Sequence, residues 1–387
     1  MAEGTIETVG YSTFLNRSPK LFNVFSILMK SQIRQSVAST LALLAVTGCA
    51  GKSVGKIDIS AELPKELPVE LQQKFEIRDS SVNAQQQSKV VSASPVSAKA
   101  TVAKLQAQSK NKALKASQVG AKAKTGGPAD EAVPAVFEYP NRRPKIDPIW
   151  LAEKHVFEIT YFGVAAGDFT LEVLPFKTMA ERRVYHVRGT AISSSLFSMF
   201  YRLNDTVETY IDYDGLFSHR FHLVLDETKQ ARDSLELYDS EKRQTFYWNR
   251  WNRREKGYSE KKEFFPIESF SQDMLSSLYY LRTVPLPTGA VVTFPVVSEG
   301  KSWEAVVTVM RREVLDTPMG RVNTIVLKPE TKLQGVLQKK GDSFLWLTDD
   351  ERRFVVKLEA KVKIGTVVAT LKNVDRGQTP GGGEAAQ

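Results

Sequence analysis

The sequence predicts a mainly β protein, with a curved antiparallel sheet or a partly closed barrel, one packed helix, and a disordered tether in front of the sheet. Three observations lead to this prediction. Short runs alternate apolar and polar residues, turn-forming residues separate these runs, and one late segment has helical spacing instead. A chain of 387 residues with 42% hydrophobic side chains is long enough to bury at least one sizeable core.

The first 49 residues have the order of a secretory leader. Met29 opens a short basic stretch, residues 37–46 are apolar, and Gly48 precedes Cys49, the single cysteine of the chain. A positive start, a short apolar core and small residues at the cut define a signal peptide, and this core is too short to span a bilayer. We therefore expect a signal peptide over residues 29–48, and residues 1–28 are interpreted as a non-native upstream extension.

The end of this leader, Val46-Thr47-Gly48-Cys49, resembles the bacterial lipobox, in which the cysteine thiol is acylated before cleavage. The resemblance implies a lipidated Cys49, carrying acyl chains such as palmitate, and a membrane partner reached through that anchor. Ala50 resembles the residue that directs lipoproteins to the outer membrane. The expected location is the bacterial envelope, on the outer membrane facing the periplasm.

Residues 49–134 are predicted to form a lipid-anchored disordered tether. Residues 80–129 carry eight lysines and no acid, and no aromatic residue lies between Phe75 and Phe137. Such a composition buries too little apolar surface to offset the entropy of ordering the chain. A coil of this length has a span of about 50 Å and would hold a domain well clear of its membrane. The lysines could bind acidic headgroups or glycans, or simply keep the tether soluble.

A β-rich domain is predicted over residues 135–375, followed by a flexible Gly-rich tail over 376–387. In residues 357–364 every second residue is apolar and the others are mostly charged, which is typical of a strand with one wet face. Similar runs occur at residues 157–161, 168–173, 234–237 and 303–307. In residues 270–282 the apolar residues fall at helical spacing, with Ser269 or Ser271 as N-cap and Asp273 near the helix start.

The formal net charge of +9 belongs to the leader and the tether. Residues 130–387 carry 36 basic and 36 acidic side chains, so no nucleic-acid partner is expected for the domain. No cofactor motif is found. No metal site is predicted, because His219 and His222 lie in a predicted strand that would send them to opposite faces.

The densest aromatic and basic cluster is residues 246–254. In it, Trp248, Arg250, Trp251 and Arg253 are the candidate ligand-binding residues. Tryptophan and arginine in alternation could stack on sugar rings, engage lipid headgroups or form a protein interface. The alternative is an amphipathic strand that turns its aromatics inward and its arginines outward.

Residues 157–167, 201–210, 272–282 and 346–353 resemble corresponding motifs of the bacterial envelope family known as domain of unknown function 3108. The resemblance covers about residues 157–371. It implies an exported β-rich domain and brings no established activity, cofactor or catalytic residue.

Two functions follow as hypotheses. The first is a non-enzymatic binding or scaffolding module for a lipid, a glycan or an envelope protein. The alternative is a hydrolase of cell-wall or surface polymers, with Asp205, Asp273 or Asp349 as general acid and base. No residue is assigned as catalytic on sequence grounds alone.

Overall fold

A computed structural model describes residues 63–80, 137–333, 336–337, 342–362 and 365–380. The chain divides into two compact units, one formed by Met1–Ser80 with Pro140–Gln387 and the other by Ser81–Tyr139. The second unit is described only over residues 137–139, where the rings of Phe137 and Tyr139 meet edge to face. The predictions for the leader, Cys49 and most of the tether lie outside the described residues.

The first unit is built from strands. Within the described residues there are sixteen strands and three short helices. The strands are β1 (Arg78–Asp79), β2 (Lys154–Tyr161), β3 (Val164–Met179), β4 (Arg182–Ser193), β5 (Asn204–Asp212), β6 (Ser218–Asp226), β7 (Gln230–Asp239), β8 (Gln244–Arg253), β9 (Gly257–Pro266), β10 (Val291–Val297), β11 (Ser302–Thr317), β12 (Gly320–Leu333), β13 (Val336–Leu337), β14 (Ser343–Thr348), β15 (Val355–Lys361) and β16 (Thr366–Asp375). The helices are α1 (Val69–Lys74), α2 (Ser195–Ser198) and α3 (Met274–Thr283).

All the strands belong to one antiparallel sheet. Strands β2 to β9 form a meander, β10 to β16 form a second meander, and β16 pairs with β2 to join the two halves. Strands β9 and β10 are the two ends of the path and are not paired with each other, so the sheet is not closed into a barrel. The prediction of a mainly β fold with a large antiparallel sheet is confirmed.

The core lies on one face of this sheet. Buried apolar side chains from both meanders belong to one contact cluster, which shows that the sheet folds over around a shared core. Phe157, Phe169 and Val207 line it from the first meander, and Val307 and Leu345 line it from the second. The alternation seen in the sequence therefore separates a core face from an outer face.

The start of helix α3 contacts both the first meander and the unpaired edge strand β10. Its N-cap is Asp273, whose carboxylate accepts hydrogen bonds from the amides of Leu275 and Ser276, both at 2.7 Å. Neither Ser269 nor Ser271 caps the helix, which corrects the predicted N-cap. The Asp273 carboxylate also accepts the hydroxyls of Thr209 and Ser218. Next to it, the Gln272 amide bonds to the Pro295 carbonyl on β10.

The segment Leu63–Ser80 differs from the predicted disordered tether. Leu67, Leu71 and Phe75 are buried against Leu235 and Leu237 on the outer face of β7. Their spacing of four residues places them on one side of the α1 turn, and this small apolar stripe covers an otherwise exposed part of the sheet. The tether prediction is therefore wrong for these residues.

The start of the predicted flexible tail is also held in place. Gln378 exchanges two backbone hydrogen bonds with Leu151, at 2.9 and 2.7 Å, and the Arg376 carbonyl accepts from the Arg352 guanidinium. These contacts fix residues 376–378 beside the start of the sheet. Residues 381–387 lie outside the described part of the chain.

Candidate functional site at one end of the sheet

The four Trp–Arg residues proposed from sequence lie on β8 but do not share one site. Arg250 is opposite Asp233, and Trp248 is opposite Leu235, on the face that the segment Leu63–Ser80 covers. Trp251 is opposite Arg232 on the core face. Strand alternation thus places Trp248 and Arg250 on one face and Trp251 and Arg253 on the other. This division matches neither a single ligand site nor a strand with its aromatics inward and its arginines outward.

Both Trp–Arg pairs are occupied by contacts within the protein. The Arg250 guanidinium lies 4.3 Å from the Trp248 ring and forms an ion pair with Asp233, which also bonds to His222 at 2.9 Å. The Arg253 guanidinium lies 4.2 Å from the Trp251 ring, and the Trp251 indole N–H donates to Gln230 at 2.9 Å. Cation–π and hydrogen-bond partners are thus already supplied by the fold.

The three acids of the hydrolase hypothesis are not brought together. Asp273 caps α3, as described above. Asp349 lies in a shallow cleft beside β11 and β12 and is paired with Arg312 at 2.8 Å. Asp205 is buried on β5, where it accepts the Asp226 amide at 3.0 Å. Each carboxylate has a separate structural task, so a shared acid–base cleft of these three residues is absent.

Glu153, Arg282 and Arg352 form a buried ion cluster, and the two arginines come from the motifs at residues 272–282 and 346–353. Arg282, at the end of α3, donates to both oxygens of Glu153 at 2.6 and 2.9 Å, and Arg352 donates to Glu153 at 2.6 Å. Burial alone would raise the Glu153 pKa, but Arg282, with smaller contributions from His155 and Arg352, lowers that pKa below its ordinary value. Two separate motifs, 272–282 and 346–353, therefore meet here to hold α3 in place.

Sequence reasoning missed the partner of Asp205. Glu227 lies in the β6–β7 turn, and both carboxyl groups are buried against each other. Among the described residues, no N–H or O–H group donates to Asp205 Oδ2 or to Glu227 Oε1, so a shared proton would satisfy both oxygens. Burial raises the pKa of both groups, and it raises that of Glu227 to about 7.

The acid pair lies beneath a loop that exposes large apolar side chains. Tyr201 donates its hydroxyl to Glu227, and Arg202 pairs with Asp226 at 2.7 Å, which ties the end of the β4–β5 loop to the β6–β7 turn. At the start of this loop Ser194 caps α2 by accepting the Phe197 amide at 3.2 Å. The loop is thus held at both ends.

Within this loop, the outward side chains are apolar. Phe197 and Tyr201 pack against the core, whereas Leu196, Met199 and Phe200 point to solvent, Met199 with 71% and Phe200 with 78% of its surface exposed. A surface turn of helix normally presents polar residues to water. In this loop, large apolar side chains face water instead.

The neighbouring β2–β3 hairpin exposes two more apolar residues. Phe162 and Gly163 form its two-residue turn with φ of +50° and +75°, the left-handed conformation that glycine favours and a bulky residue rarely adopts. Phe162 and Val164 are both exposed. The Ser194 amide bonds to the Ala166 carbonyl at 2.8 Å, which places hairpin and loop side by side. We name the set of five exposed side chains the apolar end: Phe162, Val164, Leu196, Met199 and Phe200.

The described residues contain no group of three or more His, Cys, Asp and Glu side chains placed to hold a metal ion. His219 bonds to Asp212 at 3.0 Å and His222 to Asp233, so the two histidines serve different carboxylates. Over the same part of the chain, none of the helices has the length and hydropathy needed to cross a membrane.

Three of the solved structures that resemble this chain align over nearly all of their own length. A beta-barrel-like protein of domain of unknown function DUF1849 from Brucella abortus is 11% identical, covering 59% of this chain and 98% of its own, with a TM-score of 0.38. A protein from Parabacteroides distasonis designated a lipoprotein is 9% identical over 62% of this chain and 100% of its own, with a TM-score of 0.28. A protein from Bacteroides fragilis designated as exported is 10% identical over 62% and 99%, with a TM-score of 0.27.

The similarity to these three structures is low in both sequence and TM-score. No curated protein is similar in sequence at a significant level. A family model does match: the one described as protein of unknown function (DUF3108) covers residues 156–372, more than half of the chain. The chain therefore belongs to the DUF3108 family.

Proposed function

We propose that this chain is a lipid-anchored protein of the bacterial envelope that acts as a non-enzymatic binding or scaffolding module. Its contact surface is the apolar end. The anchor is Cys49, acylated after cleavage of the leader, and the leader pattern with Ala50 supports an outer-membrane location facing the periplasm. Both the anchor and the location belong to this proposal.

The observation that carries the proposal is the clustering of exposed apolar side chains at one end of the sheet. Single exposed apolar residues are ordinary on protein surfaces, and Val291 and Met310 are examples here. Five on two adjacent turns are different, because removing a Leu, Met or Phe side chain from water is favourable by about 1.5 to 3 kcal/mol. A partner that covers this end gains that free energy.

The hydrolase alternative is not favoured by the geometry. Asp273 and Asp349 hold a helix start and an arginine, and Asp205 is buried against Glu227, where its free oxygen faces another carboxyl. General acid–base catalysis needs carboxyl groups that reach a substrate. The acids proposed from sequence serve the fold instead.

Hydrogen exchange in isolated envelopes tests this proposal without assuming which partner is present. We expect the amides of residues 161–165 and 194–203 to exchange at least tenfold more slowly in native envelopes than in the purified protein. The turn at Thr317–Gly320, at the opposite ends of the strands, is the internal control and should not change. Equal exchange of the apolar end in both preparations would contradict the proposal.

A further inference from the structure

The turns on either side of the apolar end carry basic residues. Backbone hydrogen bonds connect these turns in a row: Thr228 to Arg202 at 2.9 Å, and Arg254 to Lys229 at 2.9 Å. On the other side, the β15–β16 turn lies against the Phe162 ring, so closely that a Cβ on Gly365 would be only 2.6 Å from it. The row therefore runs from Lys361 through the apolar end to Lys229 and Lys256.

The ammonium groups of Lys229, Lys256 and Lys361 are available to a partner. Within the residues that the structure describes, no carboxylate lies within 4.0 Å of the ammonium groups of Lys229, Lys256 or Lys361. The acidic residues at these turns are Asp226, which is paired with Arg202, the buried Glu227, and Glu255. Basic residues exceed acidic ones, although the domain as a whole is balanced. The positive charge is thus concentrated where the apolar side chains are.

An apolar centre with a basic rim matches one chemistry in particular. Large aliphatic and aromatic side chains enter the acyl boundary of a bilayer, while lysine and arginine remain among the headgroups and attract anionic lipids. A glycan would instead require polar groups aimed outward from the centre, and the centre is formed by Leu, Met and Phe. The charge and the hydropathy of this surface both favour an anionic membrane.

The position of the anchor gives a second, independent argument. The segment Leu63–Ser80 packs on the domain, so only 14 residue steps separate Cys49 from the folded unit. A flexible coil of that length spans about 20 Å, and no conformation of it spans more than about 50 Å. A lipid on Cys49 would keep the domain near its membrane, rather than well clear of it as a tether of 85 residues would. A second contact with the same bilayer then becomes intramolecular and correspondingly favourable.

We propose that the apolar end binds the surface of an anionic bilayer, with its five apolar side chains inserted and the rim of Lys229, Lys256 and Lys361 against acidic headgroups. This inference rests on the proposed function and names its partner. The protein is then attached at two points, the Cys49 lipid and the apolar end. The β4–β5 loop and the β2–β3 hairpin lie at the membrane, and the opposite turns face away from it.

The test uses the mature chain, residues 49–387, with Cys49→Ser, so that neither the apolar leader nor an acyl group contributes, and measures cosedimentation with vesicles. One set contains phosphatidylcholine alone and the other also contains 30% phosphatidylglycerol. We expect at least tenfold tighter binding to the anionic vesicles, with the difference reduced at high salt.

Met199→Ser with Phe200→Ser should weaken binding to both sets at least tenfold. Lys229→Glu with Lys256→Glu should remove most of the preference, since each basic residue near an acidic surface contributes roughly fivefold.

Matched controls lie on the β11–β12 hairpin, at the other ends of the strands. Val314→Ser with Met319→Ser removes two apolar side chains that are 50% and 44% exposed, and Arg311→Glu with Arg321→Glu makes the same charge change as the lysine variant. Neither pair should alter binding. Equal weakening by the controls would overturn the inference. So would a lack of binding to either vesicle, or equal binding to both. If slow exchange at the apolar end in native envelopes accompanies any of these results, the proposed function stands with another partner.

Discussion

Glu227 is a buried carboxyl that the fold favours in its protonated form. Burial raises its pKa to about 7, against an ordinary value near 4.5, and Asp205 beside it is shifted in the same direction. Because the folded state binds the proton more tightly than the unfolded chain, this stabilisation is complete below the unfolded pKa. It is lost as pH rises through 7.

Replacing Glu227 with Gln should therefore flatten the pH dependence of stability. The amide can still accept from Tyr201 and Gln230, and its NH₂ group can donate to Asp205. Between pH 5 and pH 8, we expect the free energy of unfolding to fall by roughly 2 kcal/mol less in Glu227→Gln than in the parent. Urea titrations at both pH values measure this. Parallel pH profiles would show that the pair holds no shared proton.

Arg282 is the other residue on which the fold depends strongly. It is buried and donates to both oxygens of Glu153, so its loss leaves that carboxylate without its main partner. Arg282→Met should destabilise the protein by about 3 to 5 kcal/mol, measured by urea unfolding. The double variant Glu153→Gln, Arg282→Met should be destabilised by less than the sum of the two single variants, because both single variants break the same ion pair. Additive losses of stability would contradict the account of this pair.

At this scale, sequence alone identified residues more readily than roles. Sequence shows that Asp205 and Asp273 are acids within motifs. Their roles in carboxyl pairing and helix capping depend on partners from other parts of the chain. Glu227 is 22 positions from Asp205 and follows no motif. Only the antiparallel register of β5 and β6 brings the two together.

Among the elements, the segment Leu63–Ser80 is the one whose contribution is easiest to isolate. Phe75 is buried against the outer face of the sheet, whereas Val69 on the same short helix is 67% exposed. Phe75→Ala should lower the free energy of unfolding by about 3 kcal/mol through lost burial and the cavity left behind. Val69→Ala is the matched control and should change it by less than 0.5 kcal/mol. Equal effects would mean that the segment does not pack as described.

Strands with a clear period of two could be predicted from sequence: residues 157–161 and 303–307 lie in β-strands, and the predicted run 357–364 is a strand as far as Lys361. The helix at Met274–Thr283 was predicted as well, apart from its N-cap. The segment Leu63–Ser80 was not, because three apolar residues four apart in a polar stretch form too weak a pattern without the surface they cover. The division of the Trp–Arg residues between two faces likewise depends on what covers each face.

At the scale of the whole molecule, the sheet has two unpaired edge strands, β9 and β10, and each is protected from pairing with another chain. Edge strand β9 carries four consecutive charged residues, Glu260-Lys261-Lys262-Glu263, which protect an unpaired edge from joining another chain. The other edge, β10, contains Pro295 and receives Gln272 from the segment before α3. Both edges are thus protected, and within the described residues the apolar end is a cluster of large apolar side chains whose removal from water is favourable.

Photo-crosslinking from the apolar end in living cells tests this central claim most directly. A photoreactive amino acid replaces Met199 in one variant of the native chain and Met319, at the opposite turn, in another; both positions are exposed. We expect the probe at 199 to form adducts with phospholipid, identified by mass spectrometry after proteolysis, and the probe at 319 to form at least tenfold fewer. Equal labelling from the two positions, or no adduct of any kind at 199, would contradict the assignment of the apolar end as the contact surface.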